Sequence, residues 1–238
     1  MIRFDKEIKK SNRYNSKNCK KEARMIKNVL IVEDITSTPK QQIVGVVFAL
    51  ITVLIWSSYA LSLRIGALTP LTLEELTFFR YAIPGLILLP IFIKSISDYK
   101  KVPLIYLLGI VIGSGLPFFF FSAHGMKLTQ VAYGSTLIPG TIPLFVTLIA
   151  VIVYKQALPS FRKWGIFIVI SGVIAMLIHA GSNWDKTLLI GQGLFILSAM
   201  LWSLFTISIR QSGLSPLKVA ALAALPNGVL ITLWILIT

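Results

Sequence analysis

One arginine stands inside an otherwise uncharged apolar run: Arg80 interrupts Leu76–Ile93. A charge there is costly in hydrocarbon unless matched, which makes Arg80 a candidate partner for an anion or carboxylate. The alternatives are snorkelling to the outer interface, or pairing with Glu74 or Glu75 one to two turns away. Trp56 and Trp202 lie mid-run, away from the interfacial positions where tryptophan is usual. With Ser57, Tyr59 and Ser203 beside them, they suit an aromatic and polar wall of a substrate path. Ordinary packing of a large side chain against small neighbours is the competing use. His124 and, more weakly, His179 are candidates for proton relay near neutral pH, or are interfacial histidines facing water. Pro139, Gly140 and Pro143 fall near the middle of another run. Proline removes a backbone donor and clashes with the preceding turn, so a break is expected there. Its freed carbonyls would face a cavity, or the site would be a packed kink. Gly113-Ser114-Gly115 and Gly134-Ser135 read as close helix contacts.

Other chemistry has no residues to run on. There is no GxSxG, HExxH, Walker loop or Cys/His cluster, and Cys19 is the single cysteine. No catalytic residue, metal site or cofactor is expected, and the chain does not read as an enzyme. Asp and Glu are absent from the depths of every run, so facilitated diffusion or exchange fits better than obligate proton symport.

The elements that must position these residues follow from composition. Of 238 residues, 55% are apolar and 13% charged, with mean hydropathy +0.81. A soluble domain is nearer one quarter charged. A water-soluble globule, a disordered chain and a collagen-like fibre are excluded. Uncharged runs fall at Gln41–Leu63, Val102–Met126, Leu128–Tyr154, Trp164–Trp184, Thr187–Ile209 and Val219–Thr238, with Leu76–Ile93 as a seventh. About 20 residues cross a bilayer core as helix. Porin strands alternate over about ten residues. The reading is an all-α polytopic membrane protein of seven spans, without a cleaved signal peptide.

Residues 1–42 hold 11 of the 23 Lys and Arg and form a basic tail expected to be disordered. Met25 is a second candidate start. Within the tail, Val29–Asp34 looks like the first strand of a receiver domain, but no βα units follow to build its sheet. Bases elsewhere sit between apolar runs, which argues for membrane orientation and against nucleic acid. The tail and alternate connections carry the excess: Lys94, Lys100 and Lys101; Lys155, Arg162 and Lys163; Arg210 and Lys218. The intervening connections hold Arg64, Lys127 and Lys186, one each. This pattern predicts a multi-pass protein of the cytoplasmic (inner) membrane, N-terminus cytoplasmic, in contact with the lipid bilayer.

Sliding the chain by 146 residues superposes Gly45 on Gly191, Trp56-Ser57 on Trp202-Ser203, Ser62 on Ser208, Arg64 on Arg210 and Pro70-Leu71 on Pro216-Leu217. The offset contains five spans. An odd number inverts the second copy, and inverted repeats mark secondary transporters.

These residues resemble the EamA branch of the drug/metabolite transporter superfamily. The likeness runs over about residues 43–238. It rests on Trp56-Ser57-Ser58, Pro70-Leu71, Phe79-Arg80-Tyr81, Gly125-Met126-Lys127-Leu128-Thr129 and the stretch Pro139 to Phe145. Gly165 and Ser171-Gly172-Val173 continue it, as do Ala199 to Ser203 and Gly213 to Leu217. The resemblance implies a ten-helix carrier of two five-helix repeats that moves small metabolites, amino acids or related compounds among them, without ATP. Lys155-Gln156 stands near where the family carries Gly-Glu. Residues 43–181 then form a first five-helix repeat, and 188–238 the first two helices of a second.

Three helices are thus missing from the second copy, and the expectation is a truncated chain that does not transport alone. Spans 6 and 7 would expose faces meant for three more. Ala220, Ala221, Ala223 and Ala224 would suit a helix contact without a partner. A homo-oligomer or a separately encoded piece is a way to complete the bundle. The alternative to a metabolite carrier is a non-transporting membrane remnant or interaction subunit.

Overall fold

The computed structural model describes residues 39–156, 158, 160–182 and 186–237. The receiver-like Val29–Asp34 and the tail before Pro39 lie outside the described residues. Contacts divide the chain into two units, 1–53 and 54–238. In the first unit the described residues are the opening part of α1 (Pro39–Leu68), with apolar side chains such as Ile43 and Phe48 exposed. Residues 39–42 belong to this helix, not to the tail expected from their charge. Proline suits a first helical position, because its φ is preset and its missing N–H costs nothing there.

The second unit begins at Leu54, and its described residues form the rest of α1 and eight further helices. α2 (Leu73–Lys94) opens on a capping box: the Glu75 amide donates to Thr72 Oγ1 at 3.2 Å, and the Thr72 amide donates to Glu75 Oε2 at 2.8 Å. Glu74 and Glu75 in its first turn and Lys94 in its last suit the helix dipole. A short α3 (Ile96–Tyr99) leads to α4 (Leu104–Gly113) and α5 (Leu116–Leu128). α6 (Val131–Ile152), α7 (Ser160–Ser182), α8 (Lys186–Ser212) and α9 (Pro216–Ile237) complete the order. Gly213 takes φ +64°, the left-handed turn that ends α8, and Pro216 opens α9. Seven helices or helix pairs among the described residues are long and apolar enough to cross a membrane, α4 and α5 counting together as the third. No strand occurs among the described residues.

The expected break in the fourth span is absent. α6 runs unbroken through Pro139 and Pro143, both of which lie on its exposed face. The interruption falls in the third span, at Ser114-Gly115. Pro117, two residues on, has no N–H for the Gly113 carbonyl, and its ring crowds that turn. Buried backbone freed in this way must find partners. Asn227 of α9 supplies two of them: its Oδ1 accepts the Leu116 amide at 2.9 Å, and its Nδ2 donates to Val111 O at 3.0 Å. The Tyr81 hydroxyl of α2 lies 2.6 Å from Ser114 O and 3.0 Å from Gly115 O.

α9 packs along α2, and α8 packs against α4, α5 and α6. With apolar lipid outside, such contacts rest on close approach of small residues. A Cβ on Gly228 would lie 2.8 Å from Ala82 Cα, so α2 and α9 touch backbone to backbone. Ala221 and Ala224 are buried in α9, and the Ala224 backbone faces Gly85 of α2. The alanine row therefore has a partner, contrary to expectation, although Ala220 is exposed. A Cβ on Gly113 would lie 2.6 Å from Leu201 O, so the Gly-Ser-Gly stretch is a helix contact as well as a break. Phe118, Phe195, Met126 and Leu137 centre the main buried cluster.

Candidate functional site

Arg80 sits about two turns into α2 and is partly buried. Its guanidinium carbon lies 4.5 Å from the Tyr59 ring centroid and 5.4 Å from those of Tyr81 and Phe119. Helical spacing explains the Tyr81 contact only in part. The other two rings come from α1 and α5, brought in by packing. Glu75 is engaged in its capping box, and Arg80 forms no ion pair among the described residues. Arg80 Nε is buried without a hydrogen-bond partner, and so is the Tyr59 hydroxyl. Ser122 faces that hydroxyl without hydrogen-bond geometry. The intramembrane charge is thus held by aromatic faces rather than by a carboxylate.

A row of rings continues from there. Trp56 meets Tyr59 edge-on at 6.2 Å and Trp202 edge-on at 5.3 Å. Trp202 packs on Phe118 at 4.7 Å and Phe205 at 4.9 Å. Trp56 is 40% exposed, the open end of the row. The arrangement offers a cation and two buried polar atoms beside an apolar aromatic wall. Such a set can orient an amphipathic molecule; it supplies no nucleophile with a base.

The structure brings Trp56, Tyr59, Arg80 and Trp202 together. Ser57 is exposed on α1. Ser203 is buried, its hydroxyl 2.6 Å from Ala199 O and 3.2 Å from Ile142 O, which ties α8 to α6. His124 is exposed, with Nδ1 2.9 Å from Phe120 O one turn back. Pro139 and Pro143 face outward, as described. Sequence reasoning missed Phe119 as a neighbour of Arg80 and Ser122 as a neighbour of Tyr59. The phenylalanine run Phe118 to Phe121 was the available signal.

At one end of the bundle, α3 clamps the start of α9. Lys218 Nζ lies 2.6 Å from Asp98 Oδ2, Lys101 Nζ lies 3.2 Å from Oδ1, and the Tyr99 hydroxyl donates to Lys218 O at 2.9 Å. Hydrogen bonds from Lys218 first, then Lys101, hold the Asp98 carboxyl below its ordinary 3.8.

Seven apolar spans among the described residues, with a charge and its polar atoms turned inward among aromatic rings, define an integral multi-pass membrane protein. Residues 43–178, more than half of the chain, match the EamA-like transporter family, and the chain belongs to it. Its function in outline is that of a membrane transporter of small molecules. No curated protein and no solved structure shows a significant match.

Proposed function

We propose that this protein carries small metabolites, amino acids or related compounds among them, across the cytoplasmic (inner) membrane by alternating access, with its N-terminus in the cytoplasm. The mechanism requires two inverted repeats that can exchange inward-facing and outward-facing shapes around a shared site. The observation that carries this reading is that residues 146 apart meet each other. Trp56 touches Trp202 at a ring separation of 5.3 Å, and a Cβ on Gly228 would lie 2.8 Å from Ala82 Cα. Two elements related by a two-fold axis make self-matching contacts on that axis. Helices α1 and α8 supply one such contact, and α2 and α9 the other. The ring row beside Arg80 starts at the first of them, where an inverted-repeat carrier is expected to hold its substrate.

The test is reconstitution of purified protein into liposomes, at a density that lets copies meet, with a broad metabolite mixture outside. Saturable uptake of at least one component is the expected result, and no saturable uptake would overturn the reading. Trp56→Ala and Arg80→Ala should each abolish that uptake while inserting normally. Uptake persisting in both, and in Arg80→Lys, would take the ring row out of the path and leave Arg80 as a snorkelling side chain.

A further inference from the structure

We infer that the Arg80–Tyr59 pair is a binding point for one carboxylate on an apolar body; this rests on the transport reading above and narrows its substrate class. Three observations carry it. First, Arg80 is a cation within a membrane span and makes no ion pair among the described residues, since Glu75 is occupied by Thr72. An unpaired charge within a membrane span is costly, and an anion arriving from outside the chain relieves that cost. Second, Arg80 Nε and the Tyr59 hydroxyl are both buried and both unpartnered, on side chains in contact at 4.5 Å. Buried polar groups without partners are rare, and here two donors stand together. Third, the surroundings are rings: Phe119 and Tyr81 against the guanidinium, Trp56 and Trp202 beyond Tyr59.

The donor set selects among anions. The guanidinium edge that includes Nε is a planar fork, matched to the two oxygens of a carboxylate. One oxygen would accept from Nε and the other from an adjacent terminal N–H, with the Tyr59 hydroxyl donating to either. A single guanidinium balances a single negative charge. A phosphate dianion would leave a charge uncompensated in a low-dielectric setting.

The test is equilibrium dialysis of the full chain in nanodiscs, against empty nanodiscs, with acetate, hexanoate and 3-phenylpropanoate, each compared with its amide, and with inorganic phosphate. At least one acid with an apolar body should bind about tenfold tighter than its amide, and tighter than phosphate. Arg80→Gln should bring that ratio to about one. Tyr59→Phe should weaken the acid severalfold and leave the amide unchanged; because its hydroxyl has no partner, that variant tests the site even if Arg80→Gln does not fold. Acid and amide bound alike, no binding of either, or phosphate bound as tightly as the best acid would each overturn the assignment. Acid preference without liposome uptake would sink the transport reading and leave the site; uptake without acid preference would do the reverse.

Discussion

Two tyrosines against the same guanidinium keep their hydroxyls in opposite circumstances. That of Tyr81 is bonded at 2.6 Å to Ser114 O, while that of Tyr59 is buried and unpartnered. Removing a bonded buried hydroxyl strands its acceptor; removing an unbonded one relieves a desolvated group. Tyr81→Phe should therefore lower stability by about 1 kcal/mol. Tyr59→Phe should leave the melting temperature in detergent unchanged or raise it. Thermal unfolding of both variants side by side checks this. A larger loss in Tyr59→Phe than in Tyr81→Phe would mean that the Tyr59 hydroxyl holds the fold and is not available to a ligand. At this scale the sequence was informative about Arg80, whose charge alone in an apolar run marks it whatever the fold. It was silent about which rings surround it, because Tyr59 and Phe119 arrive from helices whose rotation is set by packing.

Between residues and the bundle stand the helices and their interruptions. Pro84, Pro90, Pro139, Pro143 and Pro226 all lie inside continuous helices, and the only break within a span among the described residues falls at Ser114-Gly115. Proline count does not locate a break. What differs at 113–117 is glycine on both sides of Ser114, with proline following, plus polar side chains on neighbouring helices to take the freed groups. The glycines and proline are visible in the sequence; Asn227, more than a hundred residues away, becomes relevant only when α9 reaches α4. Asn227→Ala should leave the Leu116 amide and Val111 carbonyl unpaired, a loss of about 1–3 kcal/mol, read as a lower melting temperature in detergent. Unchanged stability would show that the break does not depend on α9. The α3 clamp gives a second prediction with a pH signature. Asp98 is held ionised below its ordinary 3.8 by Lys218 and Lys101. Its folded-state value is depressed, so its contribution is fully present above 3.8 and is lost as pH falls through the lowered value. Asp98→Asn should lower the melting temperature by the same small amount at pH 6 and pH 8, and the deficit should shrink as pH drops below 3.8. A deficit that grows in acid would place the clamp's charge elsewhere.

Over the whole chain, length and charge placement made the spans legible. The uncharged runs and the helices share their centres and differ by a few residues at the ends, as with Val219–Thr238 against α9 at Pro216–Ile237. Helix ends extend past the uncharged core because capped and charged residues such as Glu74, Lys94 and Arg210 continue the helix into the interface. Partner choice between helices was not legible, since the small residues that decide it, Gly85, Gly113 and Gly228, look alike in sequence. On the proposed reading a repeat joins the two levels: its 146-residue offset is read in the sequence, and the Trp56–Trp202 contact is what it would produce in space. Inversion makes a demand on topology that packing alone does not. With an odd number of spans in the offset, Arg64 and Arg210, at matched positions, must lie on opposite sides of the membrane. In the proposed orientation the basic connections, containing Lys100 and Lys101, Arg162 and Lys163, and Lys218, would lie on the cytoplasmic side. Reporter fusions after Lys101, Arg162 and Lys218 should therefore read cytoplasmic, and fusions after Thr69, Lys127 and Lys186 external. Fusions after Thr69 and Arg210 reading on the same side would break the inverted relation itself, and the self-matching contacts would then be coincidental packing between unrelated helices.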